Sequence, residues 1–340
     1  MSEGRGNPYQ SRPKHAYNPN PVRLAKAIAI RLFFGALSLL VISFVVFVAG
    51  EMMPGDAATI RAGEKGTPER IAILRAELGL NRPWTERYRD FVTGAVRFEF
   101  GESYYRSNRK VSEIIAESMP ITIKLALYAM ALAAITGILL GVFAAIYQNR
   151  FIDRAILAVS TLGVTIPNFV LAPILIYIFY FQLNRLPQDY DADLIRRGVP
   201  EYMFLILPVI CLAARPMAML TRLTRASMID TMQQEFIRTA IAKGVSTYRL
   251  ITKHALRNAI MPVVTAIGTS FGFLLTGSFV VEIFFRLPGI GYKVIDAINE
   301  RDTPVLQAGV LLTGALFILI NLLVDVMLPI LDPRIREAQV

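Results

Sequence analysis

Long apolar runs alternate with short charged connections along this chain of 340 residues. Six runs, at about 28–50, 121–148, 155–184, 202–224, 258–282 and 303–330, are long enough to cross a hydrocarbon layer. Such a layer is about 30 Å thick and takes about 20 helical residues. Helix is the form expected, because lipid offers no hydrogen bonds and each segment must satisfy its own amides and carbonyls. The pattern therefore predicts an all-α membrane protein of six transmembrane helices. The third run carries Pro167 and Pro173 and is long enough to tilt or kink, the fourth is interrupted by Arg215, and the sixth contains Asp325. Residues 51–119 mix both signs of charge and read as an outer segment with an amphipathic piece. Residues 1–23 are polar, with Pro13, Pro19 and Pro21, and read as a disordered tail; 332–340 form a second tail. The polar start, followed by an apolar run long enough to span, argues against a cleaved signal peptide.

Composition sharpens this picture. Hydrophobic residues make up 54% of the chain and the mean hydropathy is +0.47, above the usual range of a soluble domain. A net charge of +10 would point to nucleic acid in a soluble protein, but no compact basic domain is present to carry that function. The basic residues gather beside the spans instead. Arg5, Arg12, Lys14, Arg23, Lys26 and Arg31 precede or open the first span, and Arg222, Arg225, Arg238, Lys243, Arg249, Lys253 and Arg257 follow the fourth. Arg334 and Arg336 follow the sixth. The positive-inside rule places these three regions, and both termini, in the cytoplasm. The single cysteine, Cys211, lies in a span, has no partner for an internal disulfide, and reads as a small packing residue.

The connection 227–257 is the most structured of the loops. Met228, Met232, Phe236 and Ala240 recur every four residues with Ile229, Ile237 and Ile241 beside them, which predicts one amphipathic helix over Met228–Ile241. Gly244 follows where a helix would end in a left-handed turn. Ser246 stands where it would cap a second helix, with Val245 and Leu250 at staple spacing and Arg249 in the place a capping box gives to Glu. That helix is expected to run to about Ile260, before Pro262. A basic amphipathic hairpin has three readings: a solvated loop, an element lying on anionic lipid, or one that docks in a groove of a soluble partner.

Arg238-Thr239-Ala240-Ile241-Ala242-Lys243-Gly244 followed by His254-Ala255-Leu256-Arg257-Asn258-Ala259-Ile260-Met261-Pro262 resembles the coupling loop of ABC-importer permeases, in the form of the dipeptide/oligopeptide/nickel permease family. Arg238 and Thr239 depart from the general Glu-Ala pattern, whereas Ala240 and Gly244 match it. Further stretches resemble that family in order and spacing from about residue 24. They are Pro54-Gly55-Asp56, Leu78-Gly79-Leu80-Asn81-Arg82-Pro83, Phe100-Gly101-Glu102-Ser103, Leu287-Pro288-Gly289-Ile290-Gly291, Arg301-Asp302-Thr303-Pro304, Asn321 to Asp325, and Leu331-Asp332-Pro333-Arg334-Ile335-Arg336. The resemblance implies a permease subunit in a bacterial or archaeal plasma membrane. Its implied partners are a second homologous permease, two cytoplasmic ABC ATPases and an external solute-binding protein. It implies ATPase contact through Phe236, Arg238, Thr239, Ala240, Lys243, Gly244, Ser246, Arg249 and His254, with ATP and magnesium on the partners and no cofactor on this chain. The implied cargo is di- or oligopeptides, with nickel chelates, opines or oligosaccharides as alternatives.

Other candidates carry less. Asp189-Tyr190-Asp191-Ala192-Asp193 alternates like a calcium loop, but Leu194 and Pro200 stand where Gly and Glu belong. His15 and His254 have no companions that complete a metal or catalytic set. No phosphate-binding Gly-x-x-x-x-Gly-Lys-Ser/Thr loop is present, so ATP hydrolysis is not expected here. Arg215 is expected to snorkel from the cytoplasmic half of its span, and Asp325 to bond to a neighbouring span. Gly137 and Gly141 suit close helix approach. Pro167 and Asn168 either kink their span or expose backbone carbonyls to a substrate path. Outside the transporter class, a membrane scaffold or receptor would use the 227–257 loop to recruit a cytoplasmic protein without nucleotide motifs. An integral-membrane enzyme would need paired catalytic side chains at one depth, and none stand out.

Overall fold

The computed structural model describes residues 21–52, 57–63, 66–105 and 109–331. Residues 1–20, Pro54-Gly55-Asp56 and the tail 332–340 lie outside the described residues. Five helices within them are long and apolar enough to cross a membrane, or six if a bent pair forms one span. Helix α1 is Pro21–Glu51. Three shorter helices follow: α2 (Ala57–Ala62), α3 (Pro68–Glu77) and α4 (Trp84–Val96). Next come α5 (Val111–Ile146), α6 (Phe151–Thr165) and α7 (Asn168–Ile176), the last running on as a π-helical turn over Tyr177–Gln182. Helix α8 (Ala192–Arg196) leads to α9 (Glu201–Met232) and α10 (Glu235–Ala242). Helix α11 (Thr247–Arg249) passes through a π-helical stretch, Leu250–Ala255, into α12 (Leu256–Phe284). Helices α13 (Ile290–Glu300) and α14 (Thr303–Leu331) complete the chain.

The third apolar run is broken rather than gently kinked. Pro167 has no amide hydrogen to give to a continuing ladder, and α6 and α7 meet there at 107°. Two other helices are longer than the sequence suggests. Helix α5 begins at Val111, about two and a half turns before Pro120, although Glu113, Glu117 and Lys124 interrupt the apolar run. Val111, Ile114 and Ile115 share one face there and pack against Ile290, Val294, Val305 and Leu306 of α13 and α14. Pro262 likewise lies inside α12 and does not end a helix.

Helices α5 and α9 form the centre. A Cβ on Gly141 would stand 2.5 Å from Thr224 Cβ and 2.7 Å from the Thr221 carbonyl oxygen, and one on Gly137 would stand 2.9 Å from Leu220 Cβ. The glycines thus let the two backbones approach, which is how helices associate where lipid supplies no hydrophobic drive. Leu125, Ala129, Ala133, Leu207, Cys211, Leu220 and Leu275 form the buried core around that seam. Helix α1 packs on α14 at the edge, its outer side carrying exposed Phe33, Phe34, Leu40, Val41 and Val45. Arg31 Nη1 and Asp325 Oδ2 are 2.6 Å apart and tie these two helices together.

The end of the bundle remote from α10 is fixed by two buried acids. Thr122 Oγ1 donates to Glu282 at 2.8 Å, and the Tyr292 amide donates to the same carboxylate at 3.1 Å. Thr122 in turn accepts from the Ile290 amide at 2.9 Å. A Cβ on Gly289 would stand 2.5 Å from Glu282 Oε2, so this clamp has room only for glycine. Asp302 accepts from Ser103 Oγ and, at 3.0 Å, from the Tyr104 amide. The Phe100–Ser103 and Arg301–Pro304 motifs, nearly 200 residues apart, therefore meet at one carboxylate. A polar cavity of about 630 Å³ lies beside them, between α1, α3, α4 and α14. On its rim Asp90 sits 2.8 Å from Arg82, and hydrogen bonding to Asp90 holds the Arg82 guanidinium above its ordinary pKa.

Candidate coupling hairpin

Helices α10 and α11 hang as a hairpin between α9 and α12. The single helix expected over Met228–Ile241 is divided: α9 ends at Met232, and Gln234, in extended conformation, stands before α10. Met228 therefore belongs to the long helix, and the stripe does not run straight through. Its buried members are Met228, Ile237 and Ala240, which meet Leu250, Ala255 and Ala259 beneath the hairpin, with Val142 and Ala145 of α5 and Val245 packed against them. The apolar contact of Val245 with this cluster fits the staple reading. Ser246, by contrast, has the extended backbone of a capping residue but its hydroxyl caps nothing.

Gly244 has φ +75°, in the left-handed region, and a Cβ there would meet nothing within 4 Å. The turn is closed by the Val245 amide donating to the Ala240 carbonyl at 3.2 Å and the Gly244 amide to the Ile241 carbonyl at 2.9 Å. Arg238 pairs with Glu235 at 3.0 Å, and Thr239 Oγ1 donates to the Glu235 carbonyl at 3.0 Å. Lys243, Ser246 and Arg249 are exposed, and His254 is half-buried. Three large apolar side chains point away from the bundle: Phe236 is 41% exposed, Ile241 57% and Tyr248 77%. Of the residues expected at this site, the structure gathers Phe236, Arg238, Thr239, Lys243, Gly244, Ser246 and Arg249 on the exposed hairpin. Ala240 faces inward and is buried. Tyr248, the most exposed aromatic here, escapes a periodicity reading because α11 is too short to show a stripe.

Sequence reasoning also passed over the hairpin's anchor. Arg225 Nε and Nη2 donate to the two oxygens of Asp153 at 2.6 and 2.7 Å, and the Asn149 amide donates to Asp153 at 2.8 Å. Asp153 is 1% exposed. This fork locks the turn between α5 and α6 onto α9 seven residues before it ends. On the hairpin's other side, Ser227 Oγ donates to the Ala259 carbonyl at 2.7 Å, joining α9 to α12. Movement of the hairpin is thus tied to α5, α6, α9 and α12 together.

Pro167 and Asn168 lie elsewhere. Pro167 precedes α7 without a side-chain cap, and the Asn168 carbonyl oxygen is 3.7 Å from Cys211 Sγ. Cys211 is 17 residues, or about 25 Å of helix, before Met228. The acids of the calcium-like run are each engaged otherwise: Asp189 with Arg286 at 3.4 Å, Asp191 as the cap of α8, and Asp193 with Arg196 at 3.4 Å.

Several apolar helices carrying a basic, apolar-tipped hairpin between two of them define a polytopic helical membrane protein. Residues 137–337 match the family described as the binding-protein-dependent transport system inner membrane component, and residues 24–126 match the N-terminal region of such membrane components. The chain belongs to this family of ABC-transporter permease components. It is 37% identical over 316 residues to a Sinorhizobium fredii protein named "Probable peptide ABC transporter permease protein y4tP", covering 92% of this chain and 97% of that one. It is 39% identical over 299 residues to the glutathione transport system permease protein GsiC of Escherichia coli K12, covering 88% and 95%.

Proposed function

We propose that this chain is one of two permease subunits of an ATP-driven importer, and that the α10–α11 hairpin is the element that the ATPases move. The observation that carries this reading is the outward set Phe236, Ile241 and Tyr248 beside Lys243 and Arg249. Apolar side chains ringed by cations suit a groove with an apolar floor and acidic walls. The hairpin end is the cytoplasmic one, by the excess of Lys and Arg around it, and both termini lie on that side. An external binding protein delivers the solute to the other side. ATP and magnesium belong to the ATPases, and this chain contributes no catalytic group and no metal site. Peptide-like solutes are favoured because the relatives named above are called peptide and glutathione permeases. Closure of the ATPases would swing the hairpin, and the Asp153–Arg225 fork would carry that motion to the spans as near-rigid bodies.

The test is affinity purification of the tagged full chain from native membranes, with partners identified by mass spectrometry. Recovery of P-loop ATPases and a second permease is expected. An intact chain that recruits a cytoplasmic protein lacking nucleotide motifs would replace this reading with the scaffold.

A further inference from the structure

Most charges within the long helices have partners in this chain: Arg31 has Asp325, Arg225 has Asp153, Lys124 has Glu201, and Glu282 has Thr122 and the Tyr292 amide. Two do not. Arg215 and Arg222 are exposed on α9 and have neither an ion pair nor a hydrogen bond among the described residues. They are two turns apart on one face, and exposed Met219 lies between them. The helix rises about 1.5 Å per residue, which sets Arg215 about 21 Å and Arg222 about 31 Å from Glu201 at the far end of α9.

Helices α6 and α12 pack beside α9 and flank that face. On one side α6 lies close, since a Cβ on Gly163 would stand 2.8 Å from the Ala214 carbonyl oxygen, and Asp153 holds Arg225 lower down. On the other side α12 is bonded through Ser227 and Ala259. Toward the far end, α7 crosses the helix where Asn168 meets Cys211, one turn before Arg215. The break at Pro167 thus hands the packing on α9 from α7 to α6, while Arg215, Met219 and Arg222 stay exposed. An unpaired guanidinium within the span, as at Arg215, is expensive against lipid, and intramembrane charges characteristically face water or the bundle interior; Arg222 stands at the inner edge of that span.

We propose that Arg215 and Arg222 line the inner half of a water-filled translocation path and draw the carboxylate of the solute through it. This rests on the importer reading and assigns that path its chemistry. The guanidiniums attract a carboxylate at both depths, and their two-turn spacing hands it from one to the next toward the cytoplasm. Neither arginine takes part in a covalent step.

The experiment uses the full transporter in inside-out membrane vesicles. Cys211→Ala removes the lone thiol, and Met219→Cys places one between the arginines. A methanethiosulfonate bearing a sulfonate and one bearing a trimethylammonium group are compared, each relative to its rate with free cysteine. The anionic reagent should react at least about ten times faster, the enrichment expected of a like-charged cleft. Adding Arg215→Gln and Arg222→Gln should remove most of that preference. An excess of trialanine should slow the reaction while its C-terminal amide does not, and absence of that difference overturns the carboxylate assignment. Failure of the anionic reagent to label, or a preference untouched by the glutamines, overturns the path itself. Purification of the unsubstituted chain without ATPases would instead sink the importer reading, a result seen before any labelling is done.

Discussion

Asp153→Asn lowers the thermal midpoint of the purified chain and disables transport, although the residue touches neither the hairpin tip nor any candidate path residue. Asp153 is almost fully buried and both of its oxygens are engaged by Arg225. The neutral amide leaves a half-buried guanidinium without its counter-charge. Removing one partner of a buried pair costs about 3 kcal/mol. The amide can still accept one bond from the Asn149 backbone, so the turn after α5 is weakened rather than lost. Replacing both partners, as Asp153→Leu with Arg225→Met, should recover most of the midpoint, because no charge is then stranded. It should not recover transport if the fork relays hairpin motion to α6. Thermal unfolding in detergent and uptake in proteoliposomes separate the two effects. An unchanged midpoint in the Asn variant would show that the pair holds nothing together.

Gly244→Val has the opposite signature, with coupling lost and the fold kept. At φ +75° a residue with a Cβ is strained by about 1–2 kcal/mol, and a β-branched one is a genuine outlier. Nothing lies within 4 Å of the site of that Cβ, so the penalty is one of backbone conformation and not of collision. The turn therefore relaxes, and α10 and α11 change their relative angle. The chain should still insert and purify, while its affinity for the ATPases falls about tenfold, the equivalent of about 1.4 kcal/mol. Gly244→Asn should lie between the two, since asparagine visits the left-handed region more readily. Copurification of the ATPases, titrated against salt-washed membranes, reads this directly. Full copurification and full uptake by the valine variant would remove the turn from the mechanism.

The apolar runs made the helical membrane class legible, because a span must carry its own apolar length whatever it packs against. Gly244 was legible for a similar reason: a left-handed turn is a local requirement of the backbone. What depended on distant residues was not. The start of α5 was hidden because Glu113 and Glu117 mask a short face that only α13 and α14 complete. Pro262 marks a stop on local grounds, yet α12 continues through it. The Asp153–Arg225 fork joins residues 72 apart, and no periodicity links them. The Ser103–Asp302 contact was visible only as two separate motifs. At the hairpin, the expected stripe mixed two roles. Ile237 and Ala240 serve the bundle, while Phe236, Ile241 and Tyr248 are left outside. Spacing alone cannot divide an amphipathic helix between an internal and an external partner.

The central claim, that the hairpin tip is where an ATPase grips this chain, is tested most directly by a photocrosslinker at its most exposed aromatic. Tyr248 is replaced by p-benzoylphenylalanine in the full chain, the native membranes are irradiated, and the adduct is sequenced by mass spectrometry. The account predicts a crosslink to a P-loop ATPase, which Gly244→Val weakens in the same membranes. Adducts to lipid alone, or to a soluble protein without nucleotide motifs, would contradict it.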